Sequence, residues 1–153
     1  MRRDMDMIRD ILLAIEGDEY LPFNASSGEW IKNIKYKDVR HDQEAGWMLC
    51  YHLELLLDGK FITAKYQEYG GKEIMNGEDL LINKRNQKIS VSPTGLTWRG
   101  HEFLDSIRDP EIWRETKDGA KKIGGLSIEL IGELAKGLLK KKIEDCTGIK
   151  ITL

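Results

Sequence analysis

Apolar residues recur along this chain in two rhythms, and each change of rhythm marks an element. From Asp4 to Glu16, Met5, Ile8, Leu12 and Ile15 share one helical face, widened by Ile11. Asp4 suits the N-cap, Asp6 suits the positive helix end, and Gly17 stops the run. A second helix is predicted from Gln43 to Asp58, where Trp47, Cys50, Tyr51, Leu53, Leu55, Leu56 and Leu57 form a wide apolar face and Gly59 ends it. From Phe61 to Tyr69 the period shortens to two. Phe61, Thr63, Lys65, Gln67 and Tyr69 then fall on one side of a strand, and Ile62, Ala64, Tyr66 and Glu68 on the other.

Between the two helices neither rhythm is complete. Pro22, Asn24, Ser26, Ser27 and Gly28 are loop chemistry, while Trp30, Ile31, Ile34, Tyr36 and Val39 fit a strand or a short irregular helix. After the strand, Gly70-Gly71 and Asn76-Gly77 signal turns, a short strand is expected from Asp79 to Ile82, and residues 83–87 form a polar, basic tip. A strand from Lys88 to Val91, a turn at Pro93-Thr94-Gly95 and a returning Leu96 lead to a helix capped by Thr97. Phe103, Leu104 and Ile107 form its inner stripe. Gly100 in its first turn costs roughly 1 kcal/mol against alanine, which implies close approach of another backbone.

Asp109 and Pro110 open the next helix, with Ile112, Thr116, Ala120 and Ile123 on one face, Trp113 beside them and Gly124-Gly125 ending it. Ser127 caps the last helix, which is expected to run to about Asp145, with Leu126 stapled against Ile131. Its stripe is Leu130, Ile131, Leu134, Ala135, Leu138 and Leu139. Lys140, Lys141 and Lys142 are placed at its negative end, and Ile149, Ile151 and Leu153 alternate as a terminal strand.

The 153 residues suit one domain with a helical extension and are enough to bury roughly 70% of the unfolded surface without disulfide or metal. No apolar run is long enough for a membrane span, and Asp4, Asp6 and Asp10 interrupt any signal-peptide core, so a cytoplasmic protein without a membrane partner is expected. Cys50 and Cys146 read as free thiols. The net charge of −2 conceals an asymmetry: residues 1–58 carry 7 basic and 12 acidic side chains, residues 59–110 carry 8 and 7, and residues 111–153 carry 9 and 7. An anionic partner should therefore avoid the first third.

The run from Tyr51 to Ile62 resembles the third helix and first wing strand of winged-helix regulators: a His-Leu pair, a leucine repeat, an acidic-Gly turn, then an apolar strand. Four stretches together resemble a bacterial and phage family of uncharacterised proteins, domain of unknown function 2513. They are Arg3-Asp4-Met5-Asp6, Tyr51-His52-Leu53, the run Leu96-Thr97-Trp98-Arg99-Gly100-His101-Glu102-Phe103-Leu104-Asp105, and Ile112-Trp113 with the lysine-ended last helix. The resemblance implies a winged-helix-like fold and a phage or prophage origin, and it transfers no site residue. The fold class expected is α+β: a winged-helix-like domain over 1–109 with an extended β-wing, and a C-terminal helical extension over 110–153 that packs on it or forms a dimer interface.

Phosphate contacts need cations, yet the helix from Gln43 to Asp58 holds none and carries Glu44, Glu54 and Asp58. Candidate nucleic-acid contacts therefore fall on the wing, at Lys65, Lys72, Lys84, Arg85 and Lys88. Leu130, Ile131, Leu134 and Leu138 are candidates for a dimer interface. His41, His52 and His101 do not form a ligand set with Cys50, because residues two apart on a helix diverge. Glu102 beside His101 lacks a nucleophile motif or a phosphate loop, so no metal, cofactor or catalytic residue is expected. The leading expectation is a non-enzymatic, DNA-associated regulatory module, working as a homodimer and touching duplex DNA through its wing. The alternative is a protein–protein interaction module on the same scaffold without DNA binding.

Overall fold

The structure is a computed structural model that describes residues 2–18, 29–69, 80–82, 88–125 and 127–152. Its elements run α1 (Met5–Glu16), α2 (Glu29–Lys32), α3 (Gln43–Asp58), β1 (Ile62–Tyr69), β2 (Leu80–Ile82), β3 (Lys88–Leu96), α4 (Trp98–Ile107), α5 (Pro110–Lys122) and α6 (Ile128–Thr147). Helices with one small antiparallel sheet make an α+β protein. The chain divides into two compact units, Met1–His101 and Glu102–Leu153, with the division inside α4.

In the first unit α1 starts where the sequence predicts. The Asp4 carboxylate accepts from the Asp6 and Met7 amides at 3.0 and 3.2 Å, satisfying two amides that no helical carbonyl can reach. Met7, Ile8, Ile11, Leu12, Ala14 and Ile15 are buried. The inner face is thus rotated slightly from the predicted stripe, with Met7 inside and Met5 only half-buried. The loop expected at Pro22, Asn24, Ser26, Ser27 and Gly28 lies outside the described residues; the rest of the ambiguous stretch is the single turn of α2 and an irregular segment, in which Trp30, Ile31, Ile34 and Val39 are buried while Tyr36 is exposed. α3 begins at its Asp42 cap and buries Ala45, Leu49, Cys50, His52, Leu53 and Leu56. Trp47, Tyr51, Leu55 and Leu57 lie at the rim of this face rather than inside it.

The exit from α3 differs from a simple glycine stop. The Lys60 and Phe61 amides donate to the Leu57 and Leu56 carbonyls at 3.1 and 2.9 Å, the paired bonds of a Schellman ending. The left-handed residue of that ending is Lys60, at φ 60°, while Gly59 keeps a helical φ of −73°. Glycine is needed at 59 for space, since a Cβ there would meet the Phe61 ring at 2.9 Å.

Strand order in the sheet is β1-β3-β2, all antiparallel. β1 and β3 pair from Ile62↔Leu96 to Tyr69↔Lys88. The turn expected at Pro93-Thr94-Gly95 is corrected: β3 continues through these residues to Leu96, and they form a bulge at which the register slips between Thr63 and Ala64. Turn residues mid-strand can serve the bulge because Pro93 has no amide to pair and Gly95 reaches φ 153°. The expected turns at Gly70-Gly71 and Asn76-Gly77 and the tip at 83–87 lie outside the described residues.

The base of the ribbon is locked to the start of α4. The Thr97 amide donates to the Phe61 carbonyl at 3.0 Å, and the Thr97 hydroxyl donates to the Lys60 carbonyl at 2.6 Å while accepting from the Gly100 amide at 3.0 Å. Thr97 is therefore both the cap of α4 and the clasp on the strand that leaves α3. Gly100 makes this possible, because a Cβ there would sit 2.0 Å from the Phe61 carbonyl oxygen.

In the second unit Asp109 caps α5 and accepts from the Glu111 and Ile112 amides, both at 3.0 Å. Lys142 of α6 reaches Asp109 at 3.0 Å and Glu111 at 3.4 Å, so the end of α6 lies beside the start of α5 and the two helices run antiparallel. Ile112, Trp113 and Thr116 are buried as expected, but Ile123 is 67% exposed. It is the residue just past the helix, with φ −113°, and no longer follows the helical face. Two further expectations are corrected. α6 runs to Thr147, so the three lysines precede its last turn, and Lys142 serves the ion pairs with α5 instead. Residues 148–152 form no strand. Gly148 at φ 70° turns the chain back, and the Ile151 amide donates to Glu144 at 3.0 Å, so no edge offers them a ladder. The proposed Leu126 staple lies outside the described residues.

Two alanine substitutions should move stability in opposite directions. Helix propensity alone favours both by up to about 1 kcal/mol. Gly137→Ala in α6, where a Cβ meets nothing within 4 Å, should raise the melting temperature slightly. Gly100→Ala should lower it, with a loss of stability of roughly 2 kcal/mol or more, because the Phe61 carbonyl must move and the Thr97 bonds with it. Thermal melts of the two variants check this, and a Gly100→Ala protein as stable as the parent would contradict the close approach.

Candidate nucleic-acid interface

The surfaces of the first unit follow from its register and its caps. In β1 and β3 the pairs Lys65↔Ser92, Gln67↔Ser90 and Tyr69↔Lys88 alternate with Tyr66↔Val91 and Glu68↔Ile89. Lys65 and Lys88 therefore occupy positions of the same parity in the ladder, on the polar side of the alternation. Lys88 also pairs with Ile82 of β2, at the far end of the ribbon from Thr97. Lys72, Lys84 and Arg85 lie outside the described residues. Near the ribbon's base the hydroxyls of Thr94 and Thr63 are 2.6 Å apart and exposed.

α3 presents the opposite charge. Gln43, Glu44 and Asp58 are exposed and Glu54 is half-buried, with no cation on the helix. At its start a cleft of about 220 Å³ is lined by Lys37, Asp38, Asp42, Glu44, Ala45 and Met48. Asp38 is already committed: His41 Nδ1 lies 3.0 Å from its carboxylate, and this hydrogen bond holds the carboxyl below its ordinary range. Asp42 accepts from the Ala45 amide. The cleft thus combines acids already engaged in structure with an apolar floor at Met48.

Sequence reasoning missed the most exposed aromatic residue among the described residues. Trp98, the first residue of α4, is 81% exposed. The Arg99 guanidinium lies 4.4 Å from the centre of the Phe61 ring, a stacked cation–π contact. Trp98 and Arg99 stand in the Thr97-to-Gly100 stretch that clasps Lys60 and Phe61, so an aromatic and two cationic residues gather at the ribbon's base. The available signal was a tryptophan directly after an N-cap, a position that a core-facing stripe does not need.

His52 and Cys50 are buried in structural settings. His52 is 0% exposed. Its Nε2 accepts the Asp4 amide at 2.7 Å, which makes Nδ1 the protonated nitrogen, and Nδ1 donates to the Met48 carbonyl at 2.6 Å. Burial pushes this imidazole below its ordinary pKa, against a smaller upward pull from the Met48 carbonyl. The Asp4 carboxylate also accepts the Tyr36 hydroxyl at 3.0 Å, and partial burial together with this acid raises the phenol to about 12. Asp10 accepts the Lys35 and Tyr36 amides at 2.8 and 3.0 Å, so the cap of α1 and one acid within it hold the irregular segment, while His52 holds the cap. The Cys50 thiol is pushed up to about 12 by burial and by Glu54, and so is not a ready thiolate. Cys146 is a free, exposed thiol. His101 lies 3.7 Å from Glu16 rather than acting with its neighbour Glu102. Among the described residues no group of three His, Cys, Asp or Glu side chains is placed to hold a metal ion.

Of the four residues expected to face a second copy, Ile131 is 5% exposed and Leu130 is 54% exposed. Leu134 and Leu138 are half-buried, and Leu134 Cδ2 lies 3.1 Å from where a Cβ on Gly119 of α5 would be. Among the described residues no helix is long and apolar enough to cross a membrane.

Residues 2–127 match the family model described as "Hypothetical protein (DUF2513)". The chain is also similar to a protein of Haemophilus influenzae described as an uncharacterized protein, 27% identical over 144 residues that cover 94% of this chain and 99% of that one. No solved structure matches the chain significantly.

The His52 bonds make stability depend on pH. The unfolded chain takes up this proton near pH 6.5, whereas the folded imidazole resists it. Stability is therefore full above about pH 6.5 and falls as pH drops below it, by at most about 1.4 kcal/mol per pH unit for this one proton. Replacing His52 by Gln should remove this component of the pH dependence. Urea unfolding across pH 5 to 7 measures the difference, and parallel pH profiles for the two proteins would refute it.

Proposed function

The chain belongs to the DUF2513 family, and we propose from its own residues that it is a non-enzymatic, DNA-associated regulatory module on a winged-helix scaffold, gripping phosphates through its ribbon. The observation that carries this reading is the electrostatic contrast between ribbon and helix. Lys65 and Lys88 share one parity of the β1–β3 ladder, while α3 offers Glu44, Glu54 and Asp58 and no cation. The order α1-α2-α3-β1-β2-β3, with the strands returning beside the third helix, supports the winged-helix scaffold. Phosphates would meet Lys65 and Lys88 on the strands, with Lys72, Lys84 and Arg85 in the same stretch of sequence, and unfavourable charge at α3. A helix of that sign does not enter a major groove lined by phosphates. The non-enzymatic reading is supported by the structural use of His52 and the inert setting of Cys50. The phage or prophage association rests on the motif resemblance alone, and a cytoplasmic setting is proposed with it.

A second reading has its own support. The acidic surface of α3 and the exposed indole of Trp98 would also suit a protein partner, since tryptophan is enriched at interface hot spots. One experiment separates the two. Affinity for duplex DNA should fall steeply with salt, with a slope set by the number of phosphates contacted. Lys84→Ala with Arg85→Ala should weaken binding and flatten that slope by about 2. Fluorescence anisotropy from low to physiological salt measures both. No binding even at low salt would leave the protein-partner reading ahead.

A further inference from the structure

We propose that Trp98 stacks on an unpaired base, so that the preferred ligand is single-stranded or gapped DNA rather than an intact duplex; this rests on the ribbon's reading of phosphate. The four tryptophans make the case. Trp30 and Trp113 are buried and Trp47 is half-buried, whereas Trp98 leaves most of its indole in water. Local structure does not demand this. Thr97 caps α4 without it, and the helix's inner stripe is already complete with Phe103, Leu104 and Ile107. A large apolar side chain held exposed on a rigid, capped helix start is instead prepared for contact.

The surroundings select the partner's chemistry. Arg99 follows in the chain with its guanidinium stacked on Phe61, and the Thr97 hydroxyl holds the Lys60 carbonyl at 2.6 Å. An exposed indole on a capped helix start, with the exposed cationic residues Lys60 and Arg99 in the same clasp, suits a nucleotide, whose base stacks while the positive charge of this stretch favours its phosphate. An intact duplex covers its base faces by stacking and offers Trp98 only an end. It also loses its usual advantage, groove insertion of a helix, because α3 is acidic. A gap or single strand keeps the phosphates for the ribbon and exposes a base for the indole.

The test uses the full chain and three labelled probes: a blunt duplex, the same duplex with a central gap, and single-stranded oligothymidylate. The gapped and single-stranded probes should bind roughly tenfold tighter than the blunt duplex and quench tryptophan emission. Trp98→Ala should lose that roughly tenfold advantage and leave the blunt duplex and the salt slope unchanged, while Trp98→Phe should keep most of it. Thermal melts should be unaltered, since the side chain is exposed. Equal affinity for blunt and gapped probes, or a preference that survives Trp98→Ala, would overturn the stacking role while leaving a salt-dependent ribbon intact. Failure of all three probes to bind at low salt would overturn both.

Discussion

The Phe61 carbonyl is the point on which the first unit turns. It accepts the Thr97 amide at 3.0 Å and sits where a side chain on Gly100 would otherwise be. One residue before it, Lys60 adopts a left-handed conformation that costs a non-glycine residue roughly 1–2 kcal/mol. That cost is offset locally by the two Schellman bonds to Leu56 and Leu57 and by the Thr97 hydroxyl on the Lys60 carbonyl. The exit of α3, the entry to β1, the end of β3 and the start of α4 therefore meet in six residues. If that meeting loosens, the ribbon loses its fixed relation to α3, and any surface the two share loses its shape.

A second set of bonds fixes the other end of the same unit. Asp4 is at once the cap of α1, the acceptor for Tyr36 and, through its amide, the donor to buried His52. The bond to His52 requires a neutral imidazole, and burial favours that form. Acids that a reader of the sequence would assign to solvent are thereby committed to backbone amides: Asp4, Asp10 and Asp42 all accept them. The acidic surplus of the first third is partly a set of caps and clasps. Among the described residues α3 still presents Glu44 and Asp58 to a partner, both exposed.

The second unit depends on a simpler arrangement. Asp109 caps α5 and also receives Lys142 of α6, so one carboxylate starts a helix and pairs it with its neighbour. Its carboxyl is held below the usual range by the Ile112 amide first and by Lys142 after it. As a surface pair this contributes little energy, but it selects the register in which α5 and α6 run together. Gly119 then allows the close approach of Leu134, and Gly132 packs beside the Phe103 ring.

Period and capping chemistry carried most of the helical architecture. Asp4, Thr97, Asp109 and Ser127 act as caps where the sequence places them, because a cap is a bond between neighbours two or three residues apart and needs no tertiary context. The need for close approach at Gly100 was legible for the same reason: a glycine in a first turn is costly unless something must pass. Tertiary structure alone decided which backbone passes there, that Pro93-Thr94-Gly95 is a bulge and not a turn, that residues 148–152 have no strand to join, and that His52 is a buried clasp. It also decided that Trp98 stands in water while Trp30 and Trp113 do not. Each of these depends on residues distant in the chain, where local periodicity is silent and only the packed backbone says which groups meet.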